Sequence, residues 1–193
     1  MKVFLFLIAI NIPFTPFSQI TKKNWMVGGS ASFSYTDNKS SSYLNYKSNM
    51  LSISPNLGYF FIDRFAAGAK IAISTSKANY PPTQVLQSYS ARNTLYSFGP
   101  FLRYYFLSSE KDYNILIEGA LLQQIRRSRT ANVTSKESAS SYGISAGPVV
   151  YFNSCVGLEF TVGFSSLKYK DFDGRNNSLT TSIGFQIHLE KEK

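Results

Sequence analysis

From Trp25 onward the chain alternates, residue by residue, between bulky apolar side chains and small or polar ones, the signature of strands with two unlike faces. In segment 25–35, Trp25, Val27, Ala31, Phe33 and Tyr35 fall on one face and Met26, Gly28, Ser30, Ser32 and Ser34 on the other. The same pattern recurs over 51–61, 65–74, 96–106, 113–124, 142–152, 156–164 and 182–189. No window shows a sustained helical period. The alternation therefore predicts an all-β chain of eight strands.

The connections between these segments alternate in length. Short ones fall at 62–64, 107–112 and 153–154, and long polar ones at 36–48, 77–93, 126–140 and 165–178. Four return segments also resemble one another: SISPNLGYFF from Ser52, SFGPFLRYYF from Ser97, SAGPVVYF from Ser145 and SIGFQIHL from Ser182. A repeated hairpin with short turns on one side and long loops on the other is the arrangement of an up-and-down transmembrane barrel. Pro55, Pro100 and Pro148 recur in one phase and each lacks a ladder donor, which predicts bulges at those positions.

Volume decides which face points outward. An eight-stranded barrel has room inside only for packed side chains or one small ligand. Eight faces of Phe, Tyr, Leu, Ile and Val cannot fit there, whereas a face of Gly, Ser, Ala and Asn can, so the bulky face meets lipid. Aromatic residues gather at both ends of the apolar bands. Trp25, Tyr59, Phe61, Tyr104, Phe106, Tyr113 and Phe152 lie toward the short turns, and Tyr35, Tyr96, Tyr142 and Phe164 toward the long loops, as two interfacial girdles would.

The blocks GGSASFSY, SPNLGYFFIDRFAAGAK and FGPFLRYYF, with the last strand carrying Ser182, Gly184, Ile187 and Leu189, resemble the small bacterial outer-membrane barrel proteins of the OmpA and OmpX type. The resemblance covers essentially all of the chain beyond its first residues. It implies an eight-stranded antiparallel barrel in the outer membrane, with the N-terminus periplasmic and the long loops extracellular. The last strand looks like the family's C-terminal assembly signal, which implies the barrel assembly machinery as a partner during biogenesis. It departs from that signal in lacking a terminal aromatic and in adding the tail 190–193.

The N-terminus supplies a route to that membrane. Lys2, the apolar run 3–12 and small or polar residues around Ser18 read as a secretory signal, with residues 1–18 removed and 19–193 forming the barrel domain. The run is too short to span a bilayer as a helix. Twenty Lys and Arg against eleven Asp and Glu give a formal charge of +9, falling to +8 with Lys2 removed. For an exported chain this balance points to lipid phosphates rather than nucleic acid. The single cysteine, Cys155, excludes an internal disulfide, and no His or Cys cluster suggests a metal or other cofactor.

Two sets of residues remain as candidate sites. Lys70, Arg103, Glu118 and Glu159 share the inward phase near the short turns and are expected to converge as an ion-pair plug, the alternative being an ion pathway. Arg126, Arg127, Arg129 and Lys136 in the third long loop, with Lys168, Lys170 and Arg175 in the fourth, are candidate contacts for lipopolysaccharide phosphates. Tyr43, Tyr46, Tyr80 and Tyr89 in the other loops suit contact with a partner surface. His188, the single histidine, stands in no arrangement with Ser and an acid that spacing supports. The expectation is a monomeric, non-enzymatic barrel with a structural or surface-interaction role. Alternatives are a narrow channel for small or apolar solutes and, third, a lipid-modifying enzyme.

Overall fold

The structure is a computed structural model that describes residues 20–38, 46–82, 89–130, 133–170 and 175–189. The expected leader, the tail 190–193 and Tyr43 lie outside the described residues. Eight strands follow one another: β1 (Trp25–Asn38), β2 (Tyr46–Ile62), β3 (Phe65–Tyr80), β4 (Tyr89–Tyr105), β5 (Tyr113–Thr130), β6 (Val133–Tyr151), β7 (Val156–Tyr169) and β8 (Arg175–Leu189). Each pairs antiparallel with the next, and β8 returns to β1 to close the barrel.

The register follows from the alternation. Between β1 and β2, Val27 faces Leu57, Ala31 faces Ile53 and Phe33 faces Leu51, while Ser30 faces Ser54 and Ser32 faces Ser52. A slip of one residue would exchange the two faces along a whole strand, so the pattern admits one pairing. Large apolar side chains stand exposed on the outer wall from every strand, among them Phe33, Ile53, Ile71, Phe98, Leu121, Ile144, Val162 and Phe185. An apolar surface of this extent calls for lipid around it. At the short-turn end the girdle aromatics of β1 to β4 pack on one another. Trp25 packs on Tyr59 at 5.1 Å between ring centroids, Phe61 on Phe65 at 5.0 Å, and Tyr104 on Phe106 at 5.2 Å.

The three prolines do not form bulges. The β1–β2, β3–β4 and β5–β6 registers run unbroken through Pro55, Pro100 and Pro148. On the opposite side of each proline the ladder lapses for two residues and resumes in the same register. The missing donor is thus accommodated by omitting bonds rather than by inserting a residue. Glycine before two of the prolines makes this possible, because a Cβ on Gly99 or Gly147 would run into the carbonyl oxygen of Leu121 or Phe160 on the next strand. Among the described residues, the one shift of register falls at Phe60 to Ile62, beside the tight turn where Arg64 takes a φ of 67°.

The long loops are also shorter than the polar composition suggested. The strands run 14 to 19 residues, well beyond the 9 to 11 or so that span a bilayer, and paired hairpin arms extend past the apolar band. Backbone pairing continues because it does not depend on side-chain hydropathy. At one hairpin end Tyr80 and Tyr89 stack at 4.5 Å and 11°, closing an arm that polarity alone marked as loop.

Two glycines provide a test of the close approach at the prolines. Gly99→Ala should destabilise the folded barrel by about 1–3 kcal/mol in urea titrations, as overpacking does. Gly119→Ala, whose added carbon meets nothing within 4 Å, should stay close to the parent. Equal stability of the two variants would remove the steric account.

Candidate functional site

Register brings the four predicted lumen charges together. Arg103 on β4 stands directly opposite Glu118 on β5, and its guanidinium holds that carboxylate through two donors, Nε at 3.0 Å and Nη2 at 2.6 Å from Oε2. The other arm, Nη1, reaches across the lumen to Glu159 on β7 at 2.6 Å and to the Tyr105 hydroxyl at 3.2 Å. Lys70 on β3 binds the remaining oxygen of Glu118. Two cations thus meet two anions, with Arg103, Glu118 and Glu159 almost fully buried. Both cations also lie over the Phe101 ring, at 5.5 Å for Lys70 and 5.8 Å for Arg103. The expected convergence is present, and the geometry is that of a closed ion-pair layer.

Below this layer, toward the short turns, the lumen is filled by large side chains that the small-and-polar description of the inner face missed. Met26, Phe60, Phe101, Tyr105, Leu116 and Val149 are buried there, joined by Ile20 from the segment ahead of β1. His188 sits in their midst, edge-on to Phe60 at 5.6 Å and Tyr105 at 6.0 Å, with Tyr151 at 5.8 Å. Among the described residues, neither of its ring nitrogens meets a donor or acceptor, and no serine or acid addresses it. These residues were findable: all but Ile20 occupy inward-phase positions, where bulk is out of keeping with the neighbouring glycines and serines.

The basic residues divide. Arg127, Arg129, Lys136, Lys168 and Arg175 are exposed on the outer wall, on strands rather than in loops, just beyond the apolar band. Arg126 has the opposite phase and stacks on the Tyr169 ring at 4.9 Å. Lys170 follows the end of β7, its backbone N–H donating to Ser138. Two cations that sequence reasoning passed over, Lys77 and Arg92, join the outer set. Lys77 faces Arg92, which faces Arg129; Arg127 faces Lys136; Lys168 faces Arg175. Direct cross-strand pairs of like charge are unfavourable in isolation. At the rim of the band Arg127 lies over the Tyr96 ring at 5.9 Å, and Arg175 donates to the Tyr142 hydroxyl at 3.5 Å.

A closed eight-stranded antiparallel barrel with an apolar outer band and a packed interior decides the fold. The chain has the fold of the small outer-membrane barrels. It superposes on the crystal structure of Neisserial surface protein A with a TM-score of 0.55 and 13% identity, over 85% of this chain and 96% of that one. Against the outer-membrane protein OprG of Pseudomonas aeruginosa the TM-score is 0.54 at 12% identity, over 90% and 99% of the two chains. The N-terminal barrel domain of OprF from Pseudomonas aeruginosa gives 0.51 at 14%, over 86% and 98%. No protein-family model matches the sequence, and no curated protein does.

Removing the shared cation should expose the cost of the layer. Arg103→Met leaves two buried carboxylates facing one partly exposed lysine, and should lower stability by about 3–5 kcal/mol, the usual effect of breaking a buried ion pair. Lys70→Met, which leaves the Arg103 bonds intact, should lower it less. Urea titration followed by the gel shift between folded and boiled protein measures both.

Proposed function

We propose that this protein is a non-enzymatic surface barrel of the bacterial outer membrane, held at its outer rim by lipopolysaccharide, with a lumen closed to solutes. The carrying observation is the lumen itself, where a net-neutral ion-pair layer lies directly on a packed apolar plug. A water path for solutes would have to part both. In this reading the N-terminus and short turns are periplasmic and the long hairpin arms stand outside the cell.

The outer collar supports the lipid part. Seven exposed cations, Lys77, Arg92, Arg127, Arg129, Lys136, Lys168 and Arg175, occur in directly facing runs at the edge of the apolar band. Like charges so placed are relieved by an anion bridging them, and phosphate groups at the lipid surface stand at that height. The extended arms beyond the collar offer Tyr80, Tyr89 and their neighbours to an external surface.

Two measurements test the reading. In planar bilayers the purified protein should give no stable single-channel steps, and regular steps would replace the closed barrel with the narrow-channel reading. Lipopolysaccharide co-purified from outer membranes should fall at least tenfold in the triple variant Arg127→Gln, Arg129→Gln, Lys136→Gln. Unchanged retention would detach the collar from lipid binding.

A further inference from the structure

The barrel is closed unevenly. β1 and β8 pair only from Trp25 with Leu189 to Ala31 with Ile183. Beyond that point both strands continue, β1 paired with β2 as far as Asn38 and β8 paired with β7 from Arg175, but no backbone pairing joins them to each other among the described residues. The seam is therefore zipped at the short-turn end and split toward the long arms. The side chains flanking the split are unusually bare. Leu179 is 76% exposed and Phe33 67%, among the highest values of any large apolar residue described. Backbone groups along two unpaired edges at membrane depth are tolerable only where something polar reaches them.

Cavities lie on both sides of this split. Inside, above the ion-pair layer, is a space of about 180 Å³ whose wall carries the hydroxyls of Ser30, Ser145, Thr161, Thr180 and Ser182 and whose floor is the Lys70, Arg103, Glu118 and Glu159 layer. It has room for on the order of a dozen water molecules. Outside, in the apolar band, a depression of about 580 Å³ is lined by Ala31, Phe33, Pro148, Phe160, Val162 and Ile183. Both spaces border the seam where β1–β8 pairing stops, the inner one at Ser30, Thr180 and Ser182 and the outer one at Ala31, Phe33, Thr181 and Ile183.

The geometry points to a side portal between β1 and β8 that admits an amphiphile from the surrounding lipid, its head in the lumen cavity and its chain in the outer depression. The chemistry of the head follows from the cavity. The four floor charges already satisfy one another, leaving no excess charge to hold an ion, while the hydroxyls of the wall both donate and accept. A small neutral head with hydroxyl groups fits that lining, and the size of the cavity limits it to something like a glycerol. The occupant is thus a single-chain neutral lipid of the monoacylglycerol class. Because the floor is closed, the cavity is a binding site and not a passage.

The test uses the full chain in phosphatidylcholine vesicles that contain a monoacylglycerol bearing a diazirine in its glycerol head. After illumination, labelled peptides are identified by mass spectrometry. Saturable labelling of inward-facing residues such as Thr161, Thr180 and Ser182 is expected. It should fall at least tenfold in Ser145→Leu, which fills the cavity away from the seam. Thr180→Leu does the same from another strand, should the first variant fail to reach the heat-modifiable state. Label confined to outward residues such as Phe160 and Ile183, or equal labelling in the filled variants, would overturn the portal. So would efficient disulfide-linked dimers of a Phe33→Cys, Cys155→Ser protein, which would assign the split seam to a second copy of the chain.

Discussion

One guanidinium organises the interior. Arg103 binds Glu118 through two donors and Glu159 through a third, linking β4, β5 and β7 across the lumen, and Lys70 adds β3 through Glu118. Charges taken out of water are costly unless nearly every donor and acceptor is matched. Here the match requires four of the eight strands, β3, β4, β5 and β7, to hold one register. The layer consequently specifies how the barrel closes as much as it stabilises it, and the apolar plug below can pack because the charges above it are already neutralised.

That plug and the outer band follow from one constraint of size. An eight-stranded barrel encloses little, so most bulky residues must face out, and the sequence alternates accordingly. At the short-turn end, however, the inner phase carries Phe60, Phe101, Tyr105 and His188 as well, and the lumen there is full. Toward the long arms the same phase carries serines and threonines, leaving the cavity. The lumen is therefore graded along its axis, packed at one end and open at the other.

The strands, their order and their facing were legible because each rests on local alternation, which a single chain displays directly. The convergence of Lys70, Arg103, Glu118 and Glu159 was legible for the same reason: given the phase and the turns, register follows. Three features depended on what local pattern does not contain. Pro55, Pro100 and Pro148 suggested bulges, yet the ladder omits bonds at all three, and at Pro100 and Pro148 a preceding glycine lets the backbones approach. The polar runs around Arg126 and Lys168 read as loops because polarity is also the mark of irregular chain, although paired strands outside the lipid have no need of apolar side chains. Arg126 accordingly turned inward by its phase, and Lys77 and Arg92 joined the outer cations only through the β3–β4–β5 register.

The split between β1 and β8 belongs to a different category, since neither strand's sequence marks it. Both sides of the seam, Ser32 to Asn38 and Arg175 to Ser182, have ordinary strand composition and pair normally with their other neighbours. What sets this seam apart is its place in the chain: it joins the first strand to the last and has no connecting turn to hold its register. Every other pair is tied by a hairpin at one end, so its ladder can propagate from the turn. The β1–β8 ladder begins where the Gly28 and Gly29 backbone lies close against β8 and β2 at the packed end of the lumen, and it stops at the level where the interior ceases to be filled. Closure of the seam and filling of the lumen thus end together, which makes a side opening a consequence of the graded interior rather than a separate feature.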